Sequence, residues 1–85
     1  MKEIKYVITD PVGIHARPAG ELVKIAKSCA SSITVWKGDK SADMKKLMKM
    51  MALGVKQGDE ITLKVEGEDE DAIAAQLESF LKANM

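Results

Sequence analysis

Glu60-Ile61-Thr62-Leu63-Lys64-Val65-Glu66 alternates polar and aliphatic residues without a break. Successive side chains of a strand point to opposite faces, so Ile61, Leu63 and Val65 share the inward one. Such a strand belongs to a sheet with one buried and one solvated face. Gln57-Gly58-Asp59 supplies the turn into it. Two upstream segments alternate in the same way. Residues 3–9 put Ile4, Tyr6 and Ile8 on one face, and Ile33-Thr34-Val35-Trp36-Lys37 reads as a second strand. Gly38-Asp39 is a two-residue hairpin signal, so Lys40 to Ala42 are expected to form a short third strand.

Between the strands the period changes to that of a helix. Residues 16–27 place Ala19, Leu22, Val23, Ile25 and Ala26 on an apolar side, with Glu21, Lys24 and Lys27 outward. Residues 44–53 predict a short second helix, with Gly54 as its left-handed C-terminal residue. Glu68-Asp69-Glu70-Asp71 suits the first turn of a last helix, whose Ile73, Leu77, Phe80 and Leu81 recur on one side. The predicted order is β-α-β-β-α-β-α, and helices gathered on one side of the sheet would bury its apolar face.

Eighty-five residues make one small domain. No apolar run approaches the ~20 residues that span a bilayer. Met1-Lys2-Glu3-Ile4-Lys5 has no signal-peptide pattern, and Cys29 is alone, so the expectation is a cytoplasmic protein without an internal disulfide. Cys29 reads as a packing residue at a helix end. One cysteine and one histidine cannot supply a usual zinc site, and no metal or cofactor is expected. The net charge is zero but uneven: residues 1–56 hold 11 basic and 5 acidic side chains, residues 57–85 hold 2 and 8. A basic and an acidic face follow. Three aromatics give no stacking platform, so an acidic protein suits the basic half better than nucleic acid does.

The chemistry gathers in Gly13-Ile14-His15-Ala16-Arg17-Pro18, which holds the only histidine and the only arginine. Histidine titrates near neutral pH and its uncharged ring is a nucleophile. Arginine presents a planar fork of donors that fits a phosphoryl group. Proline is favoured in a first helical turn, whose free N–H groups and dipole attract an anion. That dipole disfavours an imidazolium at position 15. The reading is that His15 carries a phosphoryl group, stabilised by the backbone N–H groups of Ala16 and Arg17, with the Arg17 guanidinium neutralising charge during transfer. A histidine before a helix can also be only a cap or a surface residue.

The motif resembles that of HPr, the histidine-containing phosphocarrier family of the bacterial sugar phosphotransferase system. Lys45…Leu53-Gly54, Gln57-Gly58 and Gly67-Glu68-Asp69-Glu70 extend the resemblance to the whole chain. It implies one HPr domain over 1–85, an α+β open-faced sandwich with strand order 1-4-2-3 and three helices on one face. It further implies attack by Nδ1 of His15, so phosphorylation at the other ring nitrogen (tele) is not expected. Enzyme I would be the phosphoryl donor and the IIA domains of sugar permeases the acceptors. The chain would be a carrier working with partner enzymes, not an enzyme itself, monomeric and not inserted in the membrane. An HPr-like regulatory module acting on a kinase or transcription factor, a nitrogen-pathway paralogue, and an unrelated α+β binding module are the alternatives.

In the methionine-rich segment Met44 and Met50 are expected in the core. The resemblance puts Leu47, Met48 and Met51 in an exposed docking patch, ringed by Arg17, Lys24, Lys27 and Lys49. Gly20, in the turn after Arg17, is read as a tolerated substitution, with room for a partner's approach as the other reading. HPr proteins commonly carry a regulatory serine where this chain has Lys46. Lysine has no hydroxyl to accept phosphate, so loss of that regulatory branch is expected. Lys46 is then either part of the basic face or simple drift at an exposed position.

Overall fold

β4 (Glu60–Glu66) runs antiparallel between β1 (Lys2–Val7) and β2 (Ser32–Lys37), and β3 (Lys40–Asp43) pairs with the far side of β2. This is a computed structural model, and it describes residues 1–13 and 16–85. The sheet order β1-β4-β2-β3 is the one the resemblance implies. One row across all four strands, Ile4, Leu63, Val35 and Ala42, is in register and faces inward. The adjacent row, Lys5, Thr62, Trp36 and Ser41, faces out, and the Lys64 ammonium lies 5.1 Å from the Trp36 ring centroid. The period-two pattern of β4 thus sorts the whole sheet into a core face and a wet face.

Three helices cover the inner face: α1 (Ala16–Ser28), α2 (Leu47–Met51) and α3 (Glu70–Asn84). α3 packs on β1 and β4, α2 on β3, and α1 against both other helices. Leu22, Ala26, Ile73, Leu77 and Leu81 are buried against Ile61, Leu63 and Val65. Full burial of such an aliphatic side chain contributes roughly 1.5–3 kcal/mol, so this layer holds the helices to the sheet. Phe80, Val23 and Ile25 pack at its margin, half-buried.

α2 is shorter than the apolar spacing of 44–53 predicts. Met44 N–H donates to the Ile33 carbonyl at 3.0 Å, extending the β2–β3 pairing by one rung. Asp43 then closes a turn: its carboxylate accepts Lys45 N–H at 2.9 Å and its carbonyl accepts Lys46 N–H at 2.9 Å. Helical bonding begins only at Leu47, with Lys46 as N-cap. Gly54 adopts the expected left-handed conformation at φ 68°. Gly38, at φ 60°, takes the first central position of the β2–β3 hairpin, as a type II′ turn requires.

Asp69 does not cap α3 with its side chain. Its carboxylate reaches back 38 residues to accept the hydroxyl of buried Ser31, and also accepts Ala30 N–H at 3.1 Å. These bonds, the hydroxyl first, hold the Asp69 carboxyl below its usual range. Lys56 N–H and then the Lys37 ammonium do the same to Asp59. A carboxyl depressed in the folded state stabilises the fold above the unfolded pKa, about 4. That contribution fades as pH falls through the folded value, because the unfolded chain then binds the extra proton. Urea midpoints measured from pH 6 to pH 2 should therefore decline, and Asp69→Asn should flatten the decline. An equally steep acid limb in Asp69→Asn would assign it to other carboxylates.

Candidate phosphoryl-transfer site

α1 opens directly after position 15 of the sequence, and His15 and Ile14 lie outside the described residues. Ala16 and Arg17 begin the helix and both are exposed. Pro18 is buried in the first turn, where its missing N–H has no partner to lose. That turn contains no acidic residue, so its free N–H groups and the positive end of the dipole are unneutralised. Among the described residues no carboxylate pairs with Arg17. The helix start therefore offers backbone donors and an uncommitted guanidinium to an anion.

The chain leading to this point is held from two sides. Thr9 and Asp10 donate their N–H groups to the Met85 carbonyl at 2.6 and 2.7 Å, and Thr9 Oγ1 donates to the same oxygen at 2.8 Å. Gln57 Nε2 donates to the Thr9 carbonyl at 3.2 Å. Asp10 turns the chain, its carboxylate accepting Val12 N–H at 2.8 Å and its carbonyl accepting Gly13 N–H at 3.0 Å. Gly13 sits at φ 78°, and a Cβ there would strike the Val55 carbonyl oxygen and come within 2.7 Å of Lys56 Cα. Only glycine fits so close to another backbone. Thr9, Gln57 and Met85 carry no local sequence signal for this bracing, because their partners lie 48 and 76 positions away.

The methionines divide as expected. Met44 and Met50 are 0% exposed, whereas Met48 is 75% and Met51 37% exposed. Leu47 is half-buried and packs against the core, so it offers less surface than the two methionines. Lys49 is exposed on the same helix, and Lys24 and Lys27 are exposed on α1, which packs beside α2. Gly20 is half-buried, and a Cβ added there would meet nothing within 4 Å. Cys29 donates its thiol to the Ala26 carbonyl at 3.3 Å, as a residue at a helix end can. Among the described residues no group of histidine, cysteine or carboxylate side chains could hold a metal ion. Among the described residues no helix is long and apolar enough to cross a membrane.

Comparison with known proteins adds three findings. The family model described as the PTS HPr component phosphorylation site matches residues 2–83. Phosphocarrier protein HPr of Lysinibacillus sphaericus is 46% identical over 81 residues, covering 95% of this chain and 92% of the relative. The crystal structure of HPr-C-His from Thermoanaerobacter tengcongensis superposes with a TM-score of 0.92 at 37% identity, covering 98% of this chain and 93% of that one.

Proposed function

This chain belongs to the HPr family of phosphocarriers, and on that premise we propose that it relays a phosphoryl group through His15. Enzyme I donates the group, and IIA domains of sugar permeases accept it. The observation that carries this reading is the start of α1, where exposed Arg17 and an acid-free first turn follow the sole histidine in sequence. The neutral ring attacks phosphorus through the Nδ1 lone pair while the bond from phosphorus to the donor breaks. Backbone N–H groups of Ala16 and Arg17 then stabilise the anionic phosphoramidate. Carriers of this kind are not enzymes: the group leaves by the same route when an acceptor docks. Residues 1–85 act as one HPr domain in the cytoplasm, as a monomer, with no cofactor.

Docking uses Met48 and Met51 as adaptable apolar contacts, with Arg17, Lys24, Lys27 and Lys49 steering acidic partners. Leu47 and Gly20 border this face. Incubation with phosphoenolpyruvate and catalytic enzyme I should load one acid-labile phosphoryl group per chain. Met48→Glu should weaken binding to enzyme I at least tenfold, about 1.4 kcal/mol, and added salt should weaken the parent chain. Folding should be unaffected, since Met48 lies outside the core. Full affinity in the variant at every salt concentration would move the docking face elsewhere.

The serine branch of regulation is absent under this reading. Lys46 is exposed at the N-cap of α2, its backbone engaged but its side chain without a hydroxyl to phosphorylate. An HPr kinase with ATP should label Lys46→Ser and leave the parent chain unlabelled. Stoichiometric serine phosphate on the parent would overturn this part of the proposal.

A further inference from the structure

A groove of about 340 Å³ lies where the start of β2, the end of β3 and α2 meet. Its volume is in the range of small-molecule sites. Lys45, Lys46 and Lys49 line it, together with the hydroxyl residues Ser32, Thr34 and Ser41. Among the described residues none of the three ammonium groups has a carboxylate partner. Like charges that line one groove repel one another, and a bound dianion relieves that repulsion.

We propose that this groove binds the phosphate monoester of a small hydroxylated molecule. A phosphate monoester brings close to two negative charges and three acceptor oxygens, which three lysines can match. Serine and threonine hydroxyls both donate and accept, so they suit the hydroxyls of the rest of the ligand. Asp43 also lines the groove. Its negative charge opposes the phosphoryl end and favours a ligand hydroxyl, a donor, beside it. No aromatic side chain lines the groove, so it has no surface on which a nucleotide base would stack. Trp36 belongs instead to a separate hollow on the wet face of the sheet, with Glu3, Lys5 and Lys64. The site is distinct from the start of α1 and does not depend on phosphoryl transfer at His15.

The experiment is an amide NMR titration of the full chain with glucose 6-phosphate, inorganic phosphate and glucose as probes. Saturable shifts centred on Ser32, Thr34, Ser41 and Lys46 are expected with glucose 6-phosphate. Inorganic phosphate should bind the same residues about tenfold more weakly, and glucose should not saturate. Lys46→Gln, at an exposed position, should fold normally and lower the affinity for glucose 6-phosphate about tenfold. Shifts centred on Ala16 and Arg17 alone, absence of saturation, or an unchanged affinity in Lys46→Gln would overturn the proposal. Equal affinity for inorganic phosphate would overturn the role given to the hydroxyl residues.

Discussion

His15→Ala should take up no phosphoryl group from phosphorylated enzyme I, and Arg17→Ala should take it up roughly a hundredfold more slowly. The first result follows from the sequence: the chain has one histidine, and a phosphoramidate cannot form on alanine. The second follows from charge. Transfer spreads negative charge over the phosphoryl oxygens, and the backbone N–H groups of α1 remain when the guanidinium is removed. Losing one cation should therefore slow transfer without abolishing it. Arg17 is exposed and has no carboxylate partner among the described residues, so its replacement leaves no buried charge unpaired. The thermal midpoint of Arg17→Ala should match the parent. The measurement is rapid-quench transfer from labelled enzyme I under single-turnover conditions. Full labelling of His15→Ala would remove His15 as acceptor, and an unchanged rate in Arg17→Ala would leave the guanidinium only a docking role.

The parts of the molecule that were legible in the sequence are those whose physical cause is local. β4 could be read because burial of one face imposes a period of two over seven residues. Gly38 and Gly54 marked turns because only glycine enters positive φ readily. Met44 and Met50 were readable as core, whereas the exposed place of Met48 and Met51 came from the family resemblance. The start of α2 was not, because Met44 fits the apolar helical spacing while its N–H completes a sheet rung and its side chain fills the core beside β3. Asp43 held the correct signal, a residue that turns the chain through its own carboxylate, but the methionine run concealed it. The Ser31–Asp69 bond and the Met85 anchor for Thr9 join residues 38 and 76 positions apart, and no local pattern encodes a partner at that distance. The groove beside α2 escaped notice for the same reason: its lysines lie close together in the chain, but Ser32 and Thr34 reach it only through sheet pairing.

Gly67→Ala should cost about 3 kcal/mol or more and lower the thermal midpoint by ~12–24 °C. Gly67 links β4 to α3, and its carbonyl accepts Glu70 N–H at 3.3 Å. A Cβ at this position would lie 2.6 Å from Ser31 Cα and 2.6 Å from Ser31 Oγ. The Oγ could rotate away, but the Cα is backbone, so one strand would have to move. Ser31 is fully buried and immediately precedes Ser32, which pairs with Glu66 across β2 and β4. Moving either segment loosens that rung and draws the Ser31 hydroxyl from the Asp69 carboxylate, so the sheet and the start of α3 lose contacts together. Gly54→Ala is the control: it strains a left-handed residue by roughly 1–2 kcal/mol but meets nothing within 4 Å. Ser31→Ala separates the two causes, since it removes the hydroxyl while leaving Gly67 untouched, and its loss should be smaller than that of Gly67→Ala. Calorimetry of the three variants decides the matter. A midpoint for Gly67→Ala within about 5 °C of the parent would show that the β4–α3 junction yields to the extra atom, and that the close approach of Gly67 to Ser31 is not what fixes it.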